Sequence, residues 1–503
     1  MSLSKKLVSN TFFLLLDWGL LAIISFLFWV VIWKNLPPFQ TGIFSTVQNL
    51  IVLISGITVT GFFSACAKLI PEYIETKKYG LINSLIRFVL ATILPISVII
   101  SILIFFFAPA LTKFIPNLPI EAVIFVSLGT ILLTFEMILG SILLAFQNMK
   151  KYFITDVVGT AFKLILGALL VYLGFQYVGP LVGLLFASAI IALLRFNVKW
   201  LKKTKMQIDK KFIFREYSLP SLIASIGPLT FSSAPYIIIA FFSGLAITGI
   251  FSTALAVTSQ LGAIIAFIVN AIFPVVSQLS VYNHTKNKQN TIINLAIKYG
   301  LLITLPALLV FVLTPRAIVL LLSQKNYLAA SDFFPILSTS FVIMGLSNVF
   351  LSSLYAIGKM RTFRNIWILS SLIFLATSIP LTFYFSAFGL CVAFLFSVII
   401  SFSVSLFYLR KYLVFKLAWL NIVKIIIASL IFVVFIYVAD YFQFSLFLKY
   451  LLALVGLLFY FFAFIALKFF DEIDVKVLGI LSEQIPIFKN LLLQLSKFIE
   501  KFL

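Results

Sequence analysis

The hexapeptide Thr-Gly-Ile-Phe-Ser-Thr occurs twice in the chain, at Thr41–Thr46 and at Thr248–Thr253. Looser matches lie at nearly the same spacing. Ala145, Met149 and Lys150 pair with Ala356, Met360 and Arg361, and Gly179 and Phe186 pair with Gly389 and Phe396. The offsets are 207, 211 and 210 residues, so the first two-fifths of the chain reads as duplicated. A repeat of this length fixes the architecture before any local reading does, because the working unit is then a pair of similar halves.

Each half is dominated by apolar runs. Of 503 residues, 63% are hydrophobic and 10% are charged, which is more apolar surface than a soluble domain can hide, and the long uncharged runs mark membrane spans. The first run, from about Asn10 to Trp33, follows Ser4-Lys5-Lys6. It is too long for a cleaved signal core and lacks a small-x-small cleavage site, so it is expected to stay as a signal anchor. Cys66 and Cys391 lie in separate apolar runs, and neither a disulfide framework nor a metal motif follows from them.

A net charge of +22 would suit nucleic acid, but its distribution argues otherwise. Basic residues gather in alternate loops: Lys5 and Lys6; Lys68, Lys77 and Lys78; Lys150 and Lys151; a dense set from Arg195 through Lys203 and Lys205 to Arg215; Lys286, Lys288 and Lys298; Lys359, Arg361 and Arg364; Arg410, Lys411 and Lys416; and the tail from Lys468 onward. This is the positive-inside pattern. It predicts a multi-pass protein of the cytoplasmic membrane with both termini cytoplasmic and no nucleic-acid partner.

The apolar runs between these loops predict fourteen helices, near 10–33, 41–66, 82–109, 120–147, 152–174, 178–198, 215–242, 247–275, 292–314, 333–357, 362–384, 387–409, 417–439 and 446–468. Strand-like alternation is absent from the sequence, so a barrel is excluded. Pro220, Pro228, Pro306 and Pro380 are expected to kink their helices. Six helices per repeat return the chain to the same side, so the copies are parallel and related by an axis along the membrane normal. The expected organisation is a first lobe at 1–205, a second at 206–415, two extra helices at 416–470 and a cytoplasmic or interfacial tail at 471–503. Phe488, Leu492, Leu495, Ile499 and Phe502 recur at helical spacing in that tail, as in a helix lying on the inner interface.

Three stretches resemble a known group. They are Arg215-Glu216-Tyr217-Ser218-Leu219-Pro220, Thr248–Ala254, and Phe273-Pro274-Val275-Val276-Ser277, with Asn326-Tyr327-Leu328-Ala329-Ala330 as a fourth family-like segment. With fourteen helices and two six-helix halves, the chain resembles the polysaccharide-transporter branch of the multidrug/oligosaccharidyl-lipid/polysaccharide exporter superfamily. That branch holds the O-antigen flippases and is similar to the lipid II flippases. The resemblance implies a lipid-linked oligosaccharide substrate, membrane lipids as partners and, as neighbouring machinery, a polysaccharide polymerase or glycosyltransferases. It also implies a coupling cation, Na+ or H+. Many members carry an acidic residue late in the seventh helix, where this chain has Ser232-Ser233-Ala234-Pro235.

The residues themselves offer no catalytic centre. The single histidine, His284, sits in a polar loop, the sequence lacks a Gly-Lys-Ser/Thr phosphate loop, and Glu121, Asp332 and Asp440 are scattered singly. Neither a cofactor nor a metal site is expected. Charges within spans are costly and usually face the bundle interior or water. Glu136 lies thirteen residues before Met149 and Lys163 fourteen after it. A hairpin turning there brings both to about 20 Å from the turn, near mid-membrane, as either a structural ion pair or cavity-lining groups. Asp17 in the first helix is a coupling-cation candidate by resemblance, with pairing to Arg87 or Arg215 as the rival reading. Arg87, Asp156, Arg215, Glu216, Lys298 and Arg364 lie near cytoplasmic helix ends, as headgroup anchors or, for Arg87 and Arg215, inner cavity groups.

These features favour a flippase for a polyprenyl-diphosphate oligosaccharide working by alternating access, with Lys163 holding phosphate. The alternatives are a cation-coupled exporter of small organic molecules on the same fold, and a membrane-embedded glycan-modifying transferase.

Overall fold

The computed structural model describes residues 3–202, 204, 206–279, 286–413, 415–441, 446–467, 469–471, 474–475 and 489–500. His284, Lys203, Lys205, Lys468, Phe488 and Phe502 lie outside the described residues. Among the described residues all regular structure is helical. The membrane helices are α1 (Leu3–Asn35), α2 (Pro38–Glu75), α3 (Tyr79–Phe106), α4 (Ile120–Ala145), α5 (Met149–Tyr172) and α6 (Val178–Arg195), then α7 (Leu219–Phe242), α8 (Leu245–Leu279), α9 (Lys286–Leu313), α10 (Phe334–Ala356), α11 (Met360–Leu413), α12 (Trp419–Tyr441) and α13 (Leu446–Ala466). In the tail, α14 covers Lys489–Glu500.

Twelve described helices are long and apolar enough to span a bilayer. One of them, α11, is 54 residues long and broken at Ser386, where φ is 54°. A straight helix would hold Phe374 and Phe394 about 30 Å apart, yet their ring centroids lie 5.7 Å apart. Helix α11 is therefore a hairpin that crosses twice, and the 21-residue α13 completes fourteen crossings. The prolines act less uniformly than expected. Pro228, Pro306 and Pro380 lie inside helices, whereas Pro220 sits in the first turn of α7, after a π turn at Phe214–Ser218. Helical backbone runs on through Ser218 and Leu219, so Pro220 stands within the continuous helical stretch Lys210–Phe242, where the π turn accommodates its missing N–H.

The duplication is written into the turns. Helices α4 and α10 end at the matched Ala145 and Ala356, and α5 and α11 begin at the matched Met149 and Met360. Between them Gln147 and Gly358 both take positive φ. Asn148 N–H then donates to the Leu143 carbonyl and Lys359 N–H to the Leu354 carbonyl, closing the same six-residue helix stop in each copy. Gln176 and Ser386, 210 residues apart, form a second positive-φ pair.

Gly42 and Gly249, from the two hexapeptides, meet each other. A methyl group on Gly42 would overlap the Leu245 carbonyl, and one on Gly249 would overlap the Pro38 carbonyl. Each glycine thus rests on the residue four before its counterpart, the reciprocal contact that a two-fold axis generates. The contact is sealed nearby by Tyr327, fully buried, whose hydroxyl donates to the Leu36 carbonyl (2.9 Å) and lies 2.6 Å from Thr41 Oγ1.

The chain forms two compact units. The first comprises residues 1–255, 319–333 and 367–397, and the second comprises 256–318, 334–366 and 398–503. In the second unit the segment after α13 is fastened to α9. Lys298 Nζ donates to Asp474 Oδ2 (2.6 Å) and the Phe469 carbonyl (3.0 Å), and Tyr299 donates to Asp474 Oδ1 (2.5 Å). Lys298 is 2% exposed, so it is a buried tether and not the headgroup anchor its sequence position suggests. Burial alone would push the Asp474 carboxyl up, but hydrogen bonds from Lys298 and Tyr299 hold it below the usual carboxylate range. Its contribution is therefore complete above about pH 4, the unfolded value, and is lost as pH falls through the lower folded value. Lys298→Met strands the carboxylate and should cost about 3–5 kcal/mol, read as a large fall in melting temperature of the detergent-solubilised protein. Lys298→Met with Asp474→Leu should recover most of that loss, and a silent single variant would show the tether to be dispensable.

Candidate functional site

Helix α5 carries Tyr152, Asp156 and Lys163 at helical spacing, on one face. Against that face lie α6, ending in Arg195, and α4, bearing Glu136, and these helices, with Leu21 of α1 and Val59 and Phe63 of α2, line a cavity of about 330 Å³ within the first unit. Arg195 is the hub. Its guanidinium forms an ion pair with Asp156, donates from Nε to Thr155 Oγ1 at 3.1 Å and from Nη1 to the Glu136 carbonyl at 3.4 Å, and lies over the Tyr152 ring at 4.5 Å. Gly140 of α4 makes room for it, since a Cβ there would come within 2.6 Å of Arg195 Nη1. At 2% exposed, Arg195 is no loop residue, although it opens the dense basic stretch; Asp156, buried against it, is no headgroup anchor either.

Asp17 of α1 sits one turn before the cavity-lining Leu21. It is 3% exposed, and its Oδ1 is buried without a hydrogen-bond partner. Its electrostatic neighbours are Asp156 and Arg195, so the rival pairing with Arg87 or Arg215 is not what forms. Arg215 is exposed and 3.9 Å from its sequence neighbour Glu216, and Arg87 is half-buried on α3, away from the cavity lining.

Lys163 and Glu136 come close enough for each to act on the other's charge, but the expected ion pair does not form. Arg195 Nη1 reaches the Glu136 carbonyl, and the Lys163 ammonium lies over the Phe28 ring of α1, 4.6 Å from its centroid. The depth reading brings these groups to one region, and helix rotation decides the partners.

The second repeat lacks this chemistry. At the matched offsets Glu136, Asp156, Lys163 and Arg195 become Ser347, Trp367, Phe374 and Ser405. The contact between helices persists without its charges: Ser347 Oγ lies 3.4 Å from Ser405 Oγ and 3.0 Å from Ser401 Oγ. Phe374 stacks on Phe231, centroids 5.2 Å apart. At these matched positions one copy carries charges and the other carries serine and aromatic side chains.

Comparison with known proteins agrees with this architecture. A solved lipid II flippase, MurJ, in an inward closed conformation superposes with a TM-score of 0.72 at 18% identity, covering 91% of this chain and 97% of that one. A multidrug resistance MATE family transporter of the MOP superfamily, inward-facing, gives 0.62 at 16% identity over 78% and 94%. An uncharacterized membrane protein of Methanocaldococcus jannaschii is 25% identical over 463 residues, 87% of this chain and 91% of the relative. The family model described as polysaccharide biosynthesis protein matches residues 7–280, more than half of the sequence. The chain belongs to the polysaccharide biosynthesis protein family, built on the all-helical membrane fold shared by the MOP-superfamily flippases and exporters.

Proposed function

We propose that the protein is a flippase carrying a polyprenyl-diphosphate oligosaccharide across the cytoplasmic membrane by alternating access. The observation that carries this reading is the one-sided charging of a duplicated fold. Ionisable groups inside a membrane bundle are expensive and persist where they serve a pathway, and the Glu136, Asp156, Lys163 and Arg195 group of the first repeat has no charged counterpart at the matched positions of the second. Lys163, which has no carboxylate in contact, is the group suited to a phosphate oxygen, since an ammonium donates strongly to it.

The cluster also supports cation coupling. Asp17, Glu136 and Asp156 face Lys163 and Arg195, leaving one negative charge in excess when all are ionised, and Asp17 Oδ1 is the atom without a partner. Such a site takes up one proton or one monovalent ion. In proteoliposomes with a fluorescent lipid-linked glycan, translocation should accelerate under an imposed Na+ or H+ gradient, and Asp17→Asn should remove that response. Equal rates with and without a gradient reject the coupling. Vesicles that move an organic cation such as ethidium but no lipid-linked glycan reject the substrate class in favour of a drug exporter, and a modified glycan formed by purified protein would indicate a transferase. The basic loops put both termini in the cytoplasm. A cysteine at Gln176 should accordingly label from outside intact cells, whereas Ser2 and Ser482, which lie outside the described residues, should not.

A further inference from the structure

We propose that a second cavity of the first repeat, at the turn between α4 and α5, binds a phosphate-bearing, hydroxylated headgroup. The cavity is about 330 Å³ and is lined by Leu143, Phe146, Asn148, Lys151, Asn197 and Trp200, a volume within the range of small-molecule sites. Phe146 and Trp200 stack nearly parallel, with centroids 5.9 Å apart and planes 9° apart, and make the aromatic part of the lining. The polar lining consists of donors. Asn148 Oδ1 accepts from Lys151 N–H at 3.2 Å, and Asn197 Oδ1 accepts from Lys199 N–H at 3.0 Å. Committing each amide oxygen to the backbone fixes the amide plane and leaves both NH2 groups without a partner among the described residues. The Lys151 ammonium adds a positive charge, and no carboxylate lines the cavity. One cation and two held amides beside an aromatic lining suit an anion that carries hydroxyls: the amides and ammonium take phosphate oxygens, and the rings cover a glycerol or sugar.

The second repeat shows that the fold does not require this set. The same helix stop recurs there, but the matched residues are Ile357, Lys359, Thr362, Phe407 and Arg410. Lys359 lies over the Tyr412 ring, 4.8 Å from its centroid. The loops bearing the cavity also carry Lys150, Lys199 and Lys202, the basic set that marks the anionic cytoplasmic leaflet. The inference does not depend on the flippase reading.

Native mass spectrometry of the purified full-length protein tests it, with phosphatidylglycerol, phosphatidylcholine and soluble glycerol 3-phosphate as probes. Phosphatidylglycerol should be retained well above phosphatidylcholine. Lys151→Met should lower retention roughly fivefold or more through loss of a charge-assisted hydrogen bond. Asn197→Asp keeps the Oδ1 acceptor and the side-chain shape while replacing the donor by a carboxylate oxygen, so it should lower retention while the protein stays folded. Lys199→Met removes an exposed charge outside the lining and should change little. Binding of glycerol 3-phosphate with the same Lys151 and Asn197 dependence, without lipid selectivity, would assign the site to a soluble sugar phosphate. The proposal is overturned if Lys199→Met weakens binding as much as Lys151→Met, if Asn197→Asp binds like wild type, or if neither phosphatidylglycerol nor glycerol 3-phosphate is selected.

Discussion

Lys163→Ala should abolish translocation of the lipid-linked glycan while leaving insertion and folding intact. The ammonium lies over Phe28 with no carboxylate in contact, so its removal strands no buried partner. The charge-assisted hydrogen bond it would give a phosphate is worth about 1.5–3 kcal/mol, roughly a 10- to 150-fold loss of transport at 1.4 kcal/mol per decade. Lys163→Arg keeps the charge, changes the shape, and should retain partial activity. Arg195 is a poorer probe. Its removal leaves Asp156 buried and unpaired, at a cost of about 3–5 kcal/mol, so loss of activity there would report folding. Normal transport by Lys163→Ala removes the phosphate role. If the single variant is instead unstable and Glu136→Gln with Lys163→Met restores both folding and transport, the two residues serve only each other.

The same hairpin arithmetic that brings Lys163 to the depth of Glu136 was available for the pair that does form. Asp156 stands twenty residues before Gln176 and Arg195 nineteen after it, so a turn at Gln176 sets them level. The signal is obscured because Arg195 heads a run of basic residues that reads as a loop, and only the end of α6 at Arg195 shows it to be helical and inward. Depth is legible because rise per residue is constant. Facing is not, because a 100° step separates neighbours and a one-residue error in register turns a lining group toward lipid. For that reason the surroundings of Asp17 and Glu136 and the burial of Lys298 came only from packing. The repeat fared better, since a matched turn such as Ala145–Met149 and Ala356–Met360 carries its own backbone geometry.

Gly42→Ala and Gly249→Ala should each destabilise the protein, and the double variant should cost less than their sum. Both glycines occupy one crossing of α2 and α8, where an added methyl overlaps a backbone carbonyl of the other helix. A carbonyl cannot rotate aside as a side chain can, so the helices must separate, an overpacking cost of about 1–3 kcal/mol for one variant. Once the first methyl has forced them apart, the second enters space already opened, and the coupling between the two should be of opposite sign to the single effects. The crossing lies just after the turn between α1 and α2, which is on the outer face when the termini are cytoplasmic as proposed above. An alternating-access cycle has to part this contact to open outward, so the variants should also shift the resting population toward the outward-open state. Melting temperature and the labelling rate of a cysteine placed at Thr41 read the two effects separately. Gly19→Ala, where nothing lies within 4 Å, is the control. Single variants as silent as Gly19→Ala, or a double variant whose loss equals the sum, would mean that the two hexapeptides do not meet on the axis.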